Sequence, residues 1–363
     1  MNQYRLVIVG VGNSVNNHLR AIRSLGDSAT LIAAVDTSAE RVKVFCEENQ
    51  VPNAYTNVTD MLAAESPDLV CVVTPPDTHK QISIECMEAG SWVYCEKPLC
   101  SSLADFDALK AAEDQTGKFV STVFQWRFGS AVKHLKQLME NEKLGKPLVA
   151  VCHTLWYRAQ GYYDDVPWRG HYETEFGGPT MTLGIHLMDL LLYILGDWFD
   201  IRAVTGTLDR ELEVEDTSMA IVRFENGAMG SIVNTALAPR QESYLRLDFQ
   251  KATAEIKALY RASNESWTFT PASESDQPTQ RLWEALDENF QGSHDQQLRE
   301  ILSCMDNNVR PLVSGEEARR IIEFTASLYK SAITGQTVVR GEITPEDDFY
   351  YSNSGEARVI RPS

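Results

Sequence analysis

Lys97, in Glu96-Lys97-Pro98, and His186, in Gly184-Ile185-His186, are the side chains best suited here to move a proton on and off a substrate hydroxyl. A lysine fixed before a rigid proline can hydrogen-bond a substrate oxygen and favour negative charge on it. An imidazole can take the proton. Thr182 precedes His186 by four residues, so helical spacing puts both on one face. Each also has a plainer reading. Lys97 alone is equally a surface lysine paired with Glu96. His186 is flanked by Ile185, Leu187 and Met188, and alone it reads as a core histidine with its ring satisfied.

A nucleotide-binding turn lies at the N-terminus. Gly10-Val11-Gly12 follows an apolar strand pattern and opens a helix pattern. The first glycine permits a tight turn, and the second lets backbone approach a pyrophosphate at the helix N-terminus. The third glycine of the usual pattern is replaced by Val15, so the motif is incomplete. Asp36 strengthens it, because it ends the second strand pattern about 20 residues beyond the turn. A carboxylate there accepts hydrogen bonds from ribose hydroxyls and repels a 2′-phosphate. That favours NAD; Arg41, close by, leaves NADP open. Thr74-Pro75-Pro76-Asp77-Thr78-His79 follows the third strand, at the edge where open α/β sheets bind ligands. Asp77 or Thr78 can cap the next helix, and His79 is most simply a first-turn residue.

The elements that carry these residues change character along the 363-residue chain. Apolar runs at Leu6–Val9, Leu31–Val35, Leu69–Val73, Trp92–Cys95 and Phe119–Phe124 alternate with amphipathic stretches. Strands apolar on both faces that alternate with helices mean a parallel sheet covered on both sides. After Gly145-Lys146-Pro147 the strands lengthen and become half-polar. They run 148–157, 201–207, 217–225, 228–236, 244–249 and 253–259, with a hairpin turn at Glu225-Asn226-Gly227. That implies a mainly antiparallel open sheet. Helices are expected at 128–142, 181–195, 294–307 and 316–335, and a surface loop at 272–279. The expected fold is therefore α/β, with a dinucleotide-binding domain at 1–124, a second α/β domain at 125–340 and a tail at 341–363.

Composition narrows the class. A formal net charge of −18 opposes binding to nucleic acid or anionic membranes. No apolar run approaches the ~20 residues of a membrane span, and the chain starts almost directly on a strand pattern, which leaves no room for a signal peptide. Seven scattered cysteines fit a reducing, cytoplasmic compartment. Cys95 and Cys100 flank the lysine motif but read as small apolar filler. No Cys/His spacing matches a metal site.

Taken together, the motifs resemble the glucose–fructose oxidoreductase / inositol dehydrogenase (Gfo/Idh/MocA) family. The Gly-x-Gly turn with His18 after it, the Thr-Pro-Pro-Asp-Thr-His loop, Glu96-Lys97-Pro98 and Gly177-Gly178…Gly184-Ile185-His186-x-x-Asp189 occur in that family's order. Trp168-Arg169, Val214-Glu215-Asp216-Thr217 and the closing helix match too. The resemblance implies a Rossmann domain followed by a large open sheet, with Lys97 as catalytic lysine and His186 as proton-transferring histidine. Thr182 stands where the family often has Asp, which removes a carboxylate that would orient or charge the imidazole. That argues against inositol dehydrogenase identity, not against dehydrogenase chemistry. At Phe249-Gln250-Lys251-Ala252 a glycine-containing hairpin turn is missing.

By the same resemblance, cofactor contacts fall to Gly10, Gly12, Asn13, Ser14, Val15, Asp36, Thr37, Arg41, Thr74, Pro75, Pro76, His79, Glu96, Lys97, Gln125, Trp168 and Arg169. Substrate contacts fall to Lys97, Arg127, Tyr157, Tyr163, Trp168, His171, Thr182 and His186. The aromatic and polar residues before the double glycine suit a sugar ring, whose C–H faces stack while its hydroxyls take polar partners. The expected activity is NAD(P)-dependent hydride transfer at a hydroxyl carbon of a sugar, sugar derivative or cyclic polyol. A homodimer or homotetramer is expected. An NAD-dependent glycosidase and a non-catalytic dinucleotide sensor are the rivals. Net NADH formation separates them, because a glycosidase recycles the cofactor and a sensor makes none.

Overall fold

Four-residue strands with every side chain buried need cover on both faces, and the first sheet supplies it. The computed structural model describes residues 3–259, 262–273 and 276–355. These form two units. The first takes in described residues up to 100, with 104–123 and 294–319; the second takes in 101–103, 124–293 and 320 onward.

In the first unit, β1 (Tyr4–Val9), α1 (Val15–Ser24), β2 (Ala29–Val35), α2 (Ala39–Asn49), β3 (Asn53–Tyr55), α3 (Val58–Glu65), β4 (Leu69–Val72), α4 (His79–Glu88), β5 (Trp92–Cys95), α5 (Leu103–Thr116) and β6 (Val120–Thr122) alternate. The sheet order is β3-β2-β1-β4-β5-β6, all parallel. The order reverses between β1 and β4, which places a ligand crevice at the carboxyl ends of those strands. β4 and β5 are buried at every position.

The second unit holds α6 (Ser130–Glu140), β7 (Pro147–Tyr157), α7 (Gly161–Asp164), α8 (Ile185–Leu195), β8 (Trp198–Gly206), β9 (Thr217–Phe224), β10 (Met229–Thr235), β11 (Leu237–Phe249), β12 (Ala252–Ala258), β13 (Trp267–Pro271) and α9 (Gln277–Glu284). Its sheet is mixed and mostly antiparallel, with β10 and β7 as a parallel pair. Burial alternates along β9 and β10, so one face is core and the other open. The hairpin turn without glycine is held from outside. Gln250 and Lys251 donate backbone N–H groups to the Lys146 and Leu144 carbonyls, and the Gln250 amide oxygen accepts from Lys146 N–H at 2.9 Å. β13 and α9 were not expected. The start of α9 falls in the presumed loop, where Asp276 caps it through Thr279.

α10 (His294–Asn307) alters the expected division of the chain. The expected boundaries put it in the second domain, but it packs with the first unit. Its Leu298, Ile301 and Leu302 join Val15, Leu19 and Ile22 of α1 in one apolar cluster. Gln297 donates to the Thr122 carbonyl at 2.7 Å, and Tyr94 donates to the Gln297 side-chain oxygen at 3.4 Å. α11 (Glu316–Thr334) follows, and β14 (Val338–Val339) pairs with β8. The tail is not separate, as far as 355. Ile343, Phe349 and Tyr350 are buried in the second unit, and Asn353 donates to the Phe176 carbonyl at 3.0 Å. The rest of the expected tail, 356–363, lies outside the described residues. No helix among the described residues is long and apolar enough to cross a membrane.

Candidate active site

The turn between β1 and α1 needs its first glycine. Gly10 has φ +94°, and a Cβ there would lie 2.6 Å from the Val73 carbonyl oxygen. Nothing lies within 4 Å of the space a Gly12 Cβ would fill. Asn13 and Ser14 are exposed, and α1 begins at the buried Val15 with no side-chain cap. Uncapped N–H groups beside bare backbone are what a pyrophosphate requires, so these residues fit a dinucleotide. Asp36 directly follows β2 and is 8 % exposed. It accepts from Val11 N–H at 3.1 Å and Ser38 N–H at 2.9 Å, which ties the turn to the strand end. Arg41 reaches it at 3.3 Å, while Thr37 beside it is exposed.

Thr74, Pro75 and Pro76 follow β4 as expected, but His79 does not present a nitrogen to a ligand. It is 1 % exposed, with Nδ1 2.8 Å from the Pro98 carbonyl and Nε2 3.0 Å from the Thr74 carbonyl. Both ring nitrogens are engaged with backbone, so His79 ties the loop to the Lys97-Pro98 bend. Burial pulls its pKa down against the two carbonyls, which pull it up. Glu96 is likewise turned to protein rather than to cofactor. Its Oε1 meets His18 Nε2 at 3.0 Å and His294 Nε2 at 3.5 Å, and its Oε2 accepts the Lys97 N–H at 3.2 Å. Burial pushes this carboxyl up, but the two histidines outweigh it and hold it well below the usual carboxylate range. The ligand-type atoms of His18, Glu96 and His294 lie within 4.8 Å of one another. The His18 contact is at hydrogen-bond distance, so the group braces Glu96 and, through it, the backbone of Lys97.

In the second unit, a buried carboxylate builds the turn that leads to His186. Glu215 accepts from Gly178 N–H at 3.0 Å, Thr180 N–H at 3.1 Å and the Tyr329 hydroxyl at 2.9 Å. A Cβ at Gly178 would lie 1.7 Å from the Glu215 carbonyl oxygen, so the close approach requires glycine there. The helix expected from 181 is a π-turn over Thr180–Gly184 before α8 begins. Such inserted turns recur at functional sites. Gly184 within it abuts Asn234, whose amide oxygen would be 2.0 Å from a Cβ. Thr182 donates its hydroxyl to the Gly178 carbonyl at 3.0 Å.

His186 is not a core histidine. Ile185, Leu187 and Met188 are buried, while His186 is half-buried, stacked on Trp126 at 14° and edged by Phe124. Arg127, expected at the substrate, is fully buried. Its guanidinium forms a bidentate pair with Asp189, at 2.8 and 2.6 Å, and lies over the Tyr193 ring. A charge so enclosed serves the packing of α8, not a ligand. Tyr163 is buried too. Gln125 has a buried side-chain oxygen with no hydrogen-bond partner, a fit for a ligand donor. Tyr157 and His171 are exposed, with His171 3.0 Å from Glu213, and Trp168 and Arg169 are half-buried.

The family model described as an oxidoreductase family with an NAD-binding Rossmann fold matches residues 4–124, and the Gfo/Idh/MocA C-terminal domain model matches 132–255. The chain belongs to the Gfo/Idh/MocA oxidoreductase family. D-apiose dehydrogenase of Paraburkholderia graminis is 24 % identical over 98 % of this chain and 95 % of its own. Myo-inositol 2-dehydrogenase of Thermotoga maritima is 25 % identical over 93 % of this chain and 99 % of its own. Among solved structures, the WlbA dehydrogenase of Bordetella pertussis in complex with NADH and UDP-GlcNAcA superposes with a TM-score of 0.83, at 27 % identity over 93 % of this chain and 99 % of its own. This Gfo/Idh/MocA protein is an NAD-dependent oxidoreductase. Of the residues that shape its site, Glu215, Asn234 and Gln297 carry no local signal of the contacts they make. Only the Glu215 motif was visible, as a family match.

Asp36 sets the expected cofactor preference. NADH should bind about tenfold or more tightly than NADPH, because the carboxylate repels a 2′-phosphate. Asp36→Ala should narrow the gap by releasing Arg41 from its carboxylate. Fluorescence titration reads both affinities, and equal or tighter NADPH binding by the native protein contradicts the assignment.

Proposed function

We propose that the protein oxidises a hydroxyl of a sugar, sugar derivative or cyclic polyol. The single observation that carries the proposal is His186, a half-buried imidazole set among buried apolar residues at the start of α8. His186 takes the hydroxyl proton, and Lys97 stabilises the developing alkoxide. Thr182 hydrogen-bonds the substrate through its hydroxyl oxygen, since its proton is given to Gly178. Bound NAD supplies the hydride acceptor. Relatives named for apiose and inositol dehydrogenation support the substrate class. A screen of sugars and polyols by NADH absorbance tests it. Accumulating NADH supports a dehydrogenase; product formed without net NADH would mean a glycosidase, and no turnover would mean a sensor.

A second copy of this chain covers the open sheet face. Val204, Met219 and Val233 share one cross-strand row, Arg202, Ile221 and Ser231 the next, and Arg223, Met229 and Val149 a third. Ile221 is 64 % exposed and Val204 62 %. An apolar centre this broad, flanked by Arg246, Asp248 and Glu255 on β11 and β12, is costly to leave in water. Light scattering should give a dimer or tetramer at micromolar concentration, and Ile221→Asp should shift it toward monomer. A monomeric native protein contradicts this. Seven free, buried cysteines favour a cytoplasmic location.

A further inference from the structure

We propose that the substrate is an anionic sugar or polyol, and that Arg158 and Arg169 bind its carboxylate or phosphate oxygens, which moves Arg169 from the cofactor contacts implied by the family resemblance to the substrate. The inference rests on the sugar-or-polyol reading above and adds a charge to it. Both guanidinium groups lie on one ring. Arg158 is 5.2 Å and Arg169 3.7 Å from the centre of Tyr162. Arg158 also lies over Trp156 at 5.1 Å, and Arg169 over Trp168 at 5.2 Å. These ring contacts bring both guanidinium groups together, with N–H donors to spare for an anion.

Backbone carbonyls and the Gln241 amide oxygen, not carboxylates, hold the two in place. Arg158 donates to the Tyr157 carbonyl and Arg169 to the Tyr162 carbonyl, each at 2.8 Å. Arg210 secures the bend from its own side, donating Nε to the Arg158 carbonyl at 2.8 Å. Arg210 is itself neutralised by Asp209, and the nearby Glu213 is paired with His171. Among the described residues, no carboxylate oxygen lies within 4 Å of Arg158 or Arg169. That is unexpected in a chain with 51 acidic and 33 basic side chains. Arg169 Nε is moreover buried with no hydrogen-bond partner. Two like charges on one ring, one with an orphaned donor, leave an arrangement that an anion completes.

The place suits a substrate. Trp156, under Arg158, packs in one buried cluster with Leu183, which is next to Thr182 and three residues before His186. The half-buried Trp168 and the exposed Tyr157 border the guanidinium groups with surfaces on which a sugar ring can stack.

The experiment compares each neutral sugar or polyol with its charged derivatives: hexoses against their uronates, their 6-phosphates and their UDP-linked forms. NADH formation is followed at low and moderate salt. At least one charged member should exceed its neutral parent in kcat/KM by about tenfold or more, and the advantage should shrink with salt. Uronates and phosphates in separate arms tell which oxygens are read. Arg158→Gln should lower the charged-to-neutral ratio by about tenfold, mainly through KM, with partial recovery in Arg158→Lys. NADH affinity by fluorescence should hold. Neutral parents turned over as well as charged forms would overturn this inference and leave the sugar-dehydrogenase reading intact. No turnover of either set would overturn both. A weakened NADH affinity in Arg158→Gln with an unchanged ratio would assign the guanidinium to the cofactor instead. The native protein's substrate ratio and salt dependence need no variant, so a misfolded substitution cannot hide the answer.

Discussion

His186→Ala lowers kcat by about 10²-fold or more, and Lys97→Ala does the same, if proton transfer limits turnover. His186 is the proposed base, and its ring is held against Trp126 and Phe124 while its neighbours are buried. Without it, the hydroxyl proton has no positioned acceptor. In the proposed mechanism Lys97 stabilises the developing alkoxide, and its backbone is fixed by the Glu96 carboxylate. The two residues belong to different units, so the proposal that they act together is tested by energetics. The double variant should fall little further than either single one, because groups acting as a unit are non-additive. NADH affinity should change little in His186→Ala. Full activity in either single variant, or strictly multiplicative losses in the pair, would remove the assignment.

Glu215→Ala should be the most damaging structural change in the second unit. Glu215 is buried and accepts three hydrogen bonds, from Gly178, Thr180 and Tyr329. Burial raises its pKa, and these donors oppose the rise. Alanine leaves two backbone N–H groups and one hydroxyl without their acceptor and opens a cavity. Each orphaned group costs about 1–3 kcal/mol, so the three together put the expected loss at roughly 3–9 kcal/mol. Glu215→Gln keeps the shape and one acceptor and should lose less, about 1–2 kcal/mol. Because the turn leads to Thr182 and His186, the glutamine variant should also lose kcat while folded. Thermal melting followed by tryptophan fluorescence reads the first effect and NADH formation the second. A melting point for Glu215→Ala within roughly a degree of native would show that the carboxylate holds nothing.

Much of this protein was legible along the chain because its signals are local. Gly10, Gly12 and Asp36 sit on a strand–turn–helix whose geometry is set by adjacent residues. The alternation in β9 and β10 declares an open face without reference to any other element. The apolar runs of β4 and β5 declare burial on both sides. A parallel sheet followed by a mainly antiparallel one could therefore be read directly, and Lys97 and His186 stood out through motif order rather than through any single motif.

Other features depended on partners far away in sequence. Arg127 looked available for substrate, but Asp189 encloses it, and no short pattern encodes a pair 62 residues apart. His79 and Glu96 lay at the ligand edge as expected, yet their polar atoms turn to Pro98, Thr74, His18 and His294. α10 followed its helical period correctly but joined the first unit, because Gln297 and the apolar face of that helix meet β6 and α1. The π-turn before α8 follows from Glu215 and Asn234 pressing on glycines. The sequence by itself determined which elements form and which faces they bury, since periodicity and turn chemistry act over a few residues. Only the tertiary structure decided which polar groups are consumed and which remain for chemistry, since a buried charge or imidazole is settled by whatever acceptor the folded chain brings to it.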